Sequence, residues 1–181
     1  MSDNSNTSSL QNNGDMNSLK NTNFPNISLP NQDGNLLNLH RPDTFRMVLY
    51  FYPMTGRPDQ PLPDNWNNIP GAKGCTIQTC SFRDNYDEII SLNAVPIGIS
   101  SQSVDDNKEM TSRLKVPYDV LSDEKLELSN ELNIPTFLVE SKIFLRRITL
   151  IVEKKIIKKV FYPINDINKH IEEVLKWLKE N

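Results

Sequence analysis

Residues Met47-Val48-Leu49-Tyr50-Phe51-Tyr52 form an unbroken, β-prone apolar run that Pro53 ends. A strand with no polar alternation is buried on both faces, so other elements must cover it from above and below. The run is far shorter than the roughly 20 residues of a membrane-crossing helix. It predicts the central strand of a layered α/β domain.

The segments around it supply those layers. Ile27 and Leu29, then Asn31-Gln32-Asp33-Gly34, then Leu36, Leu37 and Leu39 predict a β-hairpin at an Asp-Gly turn. After Pro53, residues 56–74 contain four prolines and three glycines and are read as a long loop. A helix is predicted from Cys75 to Leu92, a strand over Ala94–Ser100, and a helix capped by Ser103 that runs to Leu114. Val120-Leu121 reads as a short strand, 124–132 as a helix that Pro135 ends, and 137–144 as extended. Strands at 147–152 and 156–162 flank the Glu153-Lys154-Lys155 turn. An amphipathic helix closes the chain, with Ile167, Ile171, Val174, Leu175 and Leu178 on one face. This order implies an α/β fold, a mixed sheet flanked by helices and opened by an N-terminal β-hairpin.

Residues 1–22 are Asn- and Ser-rich with few apolar side chains, and are read as a disordered tail, with the folded domain at 23–181. The chain is 181 residues long, which suits a single domain of that kind. A net charge of −3 gives no positive field for nucleic acid. The opening residues lack a basic-then-apolar pattern, and the protein is expected in the cytoplasm and off the membrane. In that reducing compartment two nearby cysteines point to redox chemistry or metal binding more than to a static staple.

Cys75 lies where the loop gives way to a helix, and the unsatisfied N–H groups of a first turn favour an anion. A thiol attacks electrophiles as its thiolate, so that position suits a nucleophile. Cys80 follows five residues later. On one helix the two Cα atoms stand about 8 Å apart, beyond the roughly 7 Å that a disulfide spans. Bridging them means unwinding the first turn, which fits a transient disulfide better than a structural one. Burial as two small apolar residues is the plainer alternative. Zinc or copper would need further ligands, and His40 and His170 lie far away in sequence without ligand spacing.

The stretch Gly74-Cys75-Thr76-Ile77-Gln78-Thr79-Cys80-Ser81-Phe82-Arg83-Asp84 resembles the active-site segment of peroxiredoxins, above all the Q-type or bacterioferritin comigratory group. The resemblance runs from about Phe24 to Lys179 and takes in Val48–Pro53, Leu121-Ser122-Asp123 and Arg147-Ile148-Thr149-Leu150. It implies a thioredoxin fold and a thiol-dependent peroxidase that reduces hydrogen peroxide or organic hydroperoxides. Cys75 would become a sulfenic acid, Cys80 would resolve it as an intramolecular disulfide, and thioredoxin or a similar dithiol would recycle the pair. Arg147 maps to the arginine held against the peroxidatic sulfur, with Arg146 as its competitor, and Thr149 is read as sheet packing. No cofactor and no metal are implied, and a monomer or weak homodimer is expected.

The departures are specific. The family's Pro-x-x-x-Thr/Ser-x-x-Cys pattern would require Pro at 68 and Thr at 72, where this chain has Asn68 and Ala72. The 56–74 segment reads as an insertion, and Thr55 or Thr76 is left to supply the displaced hydroxyl. The extended segment at 140–145 has no counterpart in the pattern. Arg83 and Asp84 are read as orienting the helix or as a solvated pair, and Trp66 as a loop anchor or part of a peroxide pocket. The rival functions are a thioredoxin-fold thiol-disulfide oxidoreductase, disfavoured because the spacing is not Cys-x-x-Cys, and a non-catalytic redox-sensing module.

Overall fold

The computed structural model describes residues 14–41 and 45–181. The predicted central strand is β3, Arg46–Phe51, and every residue in it is buried. It pairs in parallel with β4 (Ala94–Ser100) and antiparallel with β8 (Ile148–Glu153). With β5 (Val120–Ser122) and β9 (Ile156–Phe161) the five-stranded order is β5-β4-β3-β8-β9. The hairpin of β1 (Ser28–Pro30) and β2 (Leu36–Asn38) turns at Gly34, where Asn31 Oδ1 accepts from the N–H groups of Asp33 and Asn35.

The pleat sorts β3 between two cores. Met47, Leu49 and Phe51 pack with Ile97, Ile99, Leu150 and the opening hairpin. Val48, Tyr50 and Tyr52 pack on the other side with Phe82, Ile89 and Met110, and with Val174, Leu175 and Leu178. Those residues come from α1 (Cys75–Asp84), α2 (Tyr86–Ser91), α3 (Val104–Leu114) and α5 (Ile167–Glu180). A mixed sheet covered on both faces is the expected thioredoxin-type arrangement. Gly98 leaves room for Tyr50, since a Cβ there would sit 2.8 Å from the Tyr50 hydroxyl.

Four expectations change. Residues 14–22 are ordered: Met16–Leu19 makes a 3-10 turn, Met16 is buried, and Leu19 packs beside it. Asn21 N–H donates to Ile157 O, and Ile157 N–H to Thr22 O, along the edge of β9. Average composition hid two apolar residues three apart that share one face of that turn. The domain therefore starts by residue 14, and residues 1–13 of the expected tail lie outside the described residues. The long helix at 75–92 is two, because Asn85 leaves helical geometry with φ −107 and ψ 13. The helix read at 124–132 is α4, only Glu127–Glu131, with Leu126 left-handed before it. The segment around 140–145 is half of a hairpin, β6 (Thr136–Val139) and β7 (Lys142–Leu145). Its turn, Glu140-Ser141, has positive φ at both residues and neither Gly nor Asn to announce it.

Where α5 meets the sheet, His170 Nε2 lies 2.8 Å from Thr149 Oγ1, and its ring meets Phe82 and Phe161 edge-on. Thr149, expected only to pack, is thus also a polar tie between sheet and helix. Burial, then the nearby charge of Arg147, pushes the His170 pKa down from 6.5 to about 4.

Two predictions come from this packing. Met16→Ala should cost about 2 kcal/mol in urea unfolding, whereas a detached tail would cost nothing. For His170, the unfolded chain takes up its proton near pH 6.5 and the folded one only near 4. Stability present above pH 6.5 is therefore lost as the pH falls through that window, by up to about 3 kcal/mol. Unfolding curves near pH 7 and near 4.5 should show this loss, and it should shrink in His170→Gln.

Candidate active site

Gly74 sets the start of α1. Its φ of 100 suits glycine, and a Cβ there would come within 2.5 Å of Ile167 Cδ1, so the turn packs directly on the first residue of α5. Cys75 follows as the first helical residue, its sulfur 3.5 Å from Ala72 O. Cys75 is buried, Cys80 is half-buried, and both are free thiols on the same helix.

Strand register delivers Arg147 to that sulfur. Tyr50 pairs with Thr149 and Phe51 with Ile148, so Arg147, one step before β8, comes opposite Tyr52 and shares the face of Tyr50 and Thr149. Its Nη2 donates to Cys75 Sγ at 3.2 Å and to Gly71 O and Lys73 O, each at 3.2 Å. Nη1 donates to Gln78 Oε1. Arg146 faces the other way, its N–H bonded to Pro135 O and its guanidinium over the Phe137 ring.

Arg147 is only 6% exposed. Among the described residues it makes no ion pair with a carboxylate. A buried cation in that position needs compensation. Three neutral acceptors and one sulfur are what surround it, and the sulfur is the one among them that can carry negative charge.

Gln78 was not singled out by the sequence, although it lies three residues beyond Cys75, on the same helical face. It is 1% exposed and fixes the second arm of the guanidinium, so it is a positioning residue. An amide within one turn of a candidate nucleophile was the only available signal, and its burial was not legible.

The two candidate hydroxyls separate. Thr55 is buried and engaged with Gln102: its N–H donates to Oε1 at 2.9 Å, its Oγ1 lies 3.3 Å from the same atom, and its carbonyl accepts from Nε2. It does not line the cavity over Cys75, whereas Thr76 does. Arg83 serves both of its readings, donating to Asp84 at 2.8 Å and to Leu114 O at 2.7 Å, which ties α1 to the end of α3.

Beneath α1, Tyr118 Oη donates to Thr79 O at 2.9 Å and so accepts from Tyr50 Oη at 2.9 Å. Burial pushes the Tyr50 hydroxyl up to about 12, which keeps its proton in place as a donor. Among the described residues no three His, Cys, Asp or Glu side chains gather to hold a metal. None of the described helices is long and apolar enough to cross a membrane.

The redoxin family model matches residues 19–175. The chloroplastic peroxiredoxin Q of Arabidopsis thaliana is 31% identical over 156 residues, covering 86% of this chain and 64% of that protein. The chain thus spans a little under two thirds of that relative's length. The chloroplastic peroxiredoxin Q of Sedum lineare is 30% identical, with 86% of this chain and 75% of that protein covered. In fold, the crystal structure of peroxidoxin BcpB from Mycobacterium tuberculosis matches with a TM-score of 0.72 at 21% identity, over 89% of this chain and 96% of that one. With sequence and fold in agreement over nearly all the described residues, the chain belongs to the redoxin family, in its peroxiredoxin Q branch.

Proposed function

We propose that the protein is a thiol-dependent peroxidase, acting on hydrogen peroxide or organic hydroperoxides through Cys75. The observation that carries this reading is the buried Arg147 guanidinium, 3.2 Å from Cys75 Sγ and paired with no carboxylate among the described residues. It gives a sulfur anion a counter-charge and a charged hydrogen-bond donor.

The reaction follows from that arrangement. The Cys75 thiolate attacks one peroxide oxygen and the O–O bond breaks. Sulfur is oxidised to sulfenic acid, and the other oxygen leaves with a proton as water or an alcohol. Cys80 then attacks the sulfenic sulfur, expelling water and forming a disulfide. Because both cysteines occupy α1, this second step requires the first turn to open, releasing Gln78 from Arg147. Thr76 is the hydroxyl we assign to the peroxide, since it shares the cavity with Cys75. A thioredoxin-like dithiol in an aqueous compartment, the cytosol in our reading, returns the disulfide to two thiols by exchange. The working unit is a monomer or weak homodimer.

Cys75→Ser should abolish peroxide consumption in stopped-flow assays, and retained activity would overturn the proposal. Cys80→Ser should still form a sulfenic acid that a dimedone-type probe traps, with no intramolecular disulfide by mass spectrometry. Arg147→Gln should lower kcat/KM by about 100-fold, while Arg146→Gln should leave it within about twofold.

A further inference from the structure

Tyr50 and Tyr118 meet α1 from the core, and neither has a part in the cycle described above. Tyr118, between α3 and β5, is buried and donates to Thr79 O at 2.9 Å. Tyr50, on β3, is fully buried and donates in turn to Tyr118 Oη at 2.9 Å. It also lies 3.4 Å from Thr79 Oγ1. Both rings are fixed, Tyr50 stacked on Phe82 with centroids 4.5 Å apart and Tyr118 on Tyr86 at 6.1 Å. Burial pushes both hydroxyls up, so each keeps its proton as a donor. A carbonyl inside a helix already accepts from the N–H four residues on, and for Thr79 in α1 that is Arg83. The Tyr118 bond is additional to what the helix needs.

Its position gives that extra bond a consequence. Side chains five apart on a helix point about 140° away from each other. This matches the burial of Cys75 against Arg147 and the partial exposure of Cys80. A disulfide between them closes a loop that runs only from residue 75 to residue 80, so the turning that joins the sulfurs falls on the peptide groups between them. The last of these is Thr79–Cys80, and Thr79 O belongs to it. A bond made in the helical state and lost in the bridged one shifts the balance towards the helix. Once that peptide turns away, the two tyrosines still bond to each other, so opening leaves neither hydroxyl without a partner.

We infer that Tyr118 is a positioning residue that latches the Thr79–Cys80 peptide in the helix, holding Cys80 away from the oxidised Cys75 and so setting how long the sulfenic acid lasts before it is resolved. The inference rests on the peroxidase reading. A longer-lived sulfenic acid meets a second peroxide more often. Its sulfur then takes one peroxide oxygen to become sulfinic acid, and the other oxygen leaves as water or an alcohol. The latch therefore slows recycling and raises irreversible oxidation.

The test follows single turnovers of the full chain with hydrogen peroxide, by stopped flow for peroxide consumption and disulfide formation and by mass spectrometry for sulfinic acid. Tyr118→Phe keeps the ring and removes only the hydroxyl, and unfolding curves verify that each variant is folded. Disulfide formation should be about fivefold faster in Tyr118→Phe, with peroxide consumption within about twofold of the unsubstituted protein and less sulfinic acid under excess peroxide. Tyr50→Phe also removes a buried hydroxyl but keeps the Tyr118 bond to Thr79, and should change disulfide formation by less than about twofold. Unchanged or slower disulfide formation in Tyr118→Phe, or equal acceleration in both variants, overturns the inference and leaves the peroxidase reading standing. Failure of the unsubstituted protein to consume peroxide overturns that reading itself. Amide hydrogen exchange of the unsubstituted protein, reduced and after oxidation with diamide, tests the latch without any variant and without peroxide. The Arg83 N–H, whose acceptor is Thr79 O, should lose protection in the disulfide form, and retained protection overturns the inference.

Discussion

A guanidinium buried against a sulfur is the interaction on which the rest of this structure depends. Arg147 reaches Cys75 because the pleat of β8 turns it to the face that carries Tyr50 and Tyr52. It stays there because Gly71 O, Lys73 O and Gln78 Oε1 accept from its two Nη groups. The same buried charge also helps keep His170 neutral, since a second cation in that layer would be unfavourable. Strand register, the glycine turn at Gly74 and the docking of α5 are thus parts of one electrostatic arrangement.

The two departures from the peroxiredoxin pattern explain each other. The inserted loop sends Trp66 into a cluster with Phe137 and Phe144, which lie on the two strands of the unexpected hairpin. Ala72 completes that cluster and is fully buried. Where the family pattern has a hydroxyl, this chain packs a methyl group, and a threonine there would bring an extra polar atom into an aromatic contact. Ala72, the 56–74 loop and the β6–β7 hairpin form one structural unit.

Much of this was legible in the sequence where the signal was local and periodic. The apolar run at Met47–Tyr52 announced the central strand, and the loop-to-helix transition announced Cys75. Two-residue alternation put Arg146 and Arg147 on opposite faces, and the resemblance, not the alternation, singled out Arg147. The signal failed where conformation ran against composition. Glu140-Ser141 turns with positive φ and without glycine or asparagine, so the hairpin was invisible. Met16 and Leu19 were lost in an Asn-rich average, although they pack the turn on the core beside its backbone bonds to Ile157. Gln78 looked like one more polar helical residue, because its partner lies 69 positions away.

Trp66 has a consequence of another kind. The chain has only two tryptophans. Trp177 sits half-buried on α5 with Arg46 over its ring, remote in sequence from the loop. Trp66 is 3% exposed and packs in the same cluster as Ala72, whose carbonyl faces the Cys75 sulfur. Trp66 also lines the cavity that Cys75 lines, so the turn opening of the proposed cycle would change that indole's surroundings. Under the proposed cycle, intrinsic tryptophan emission would follow the thiol chemistry without an added label.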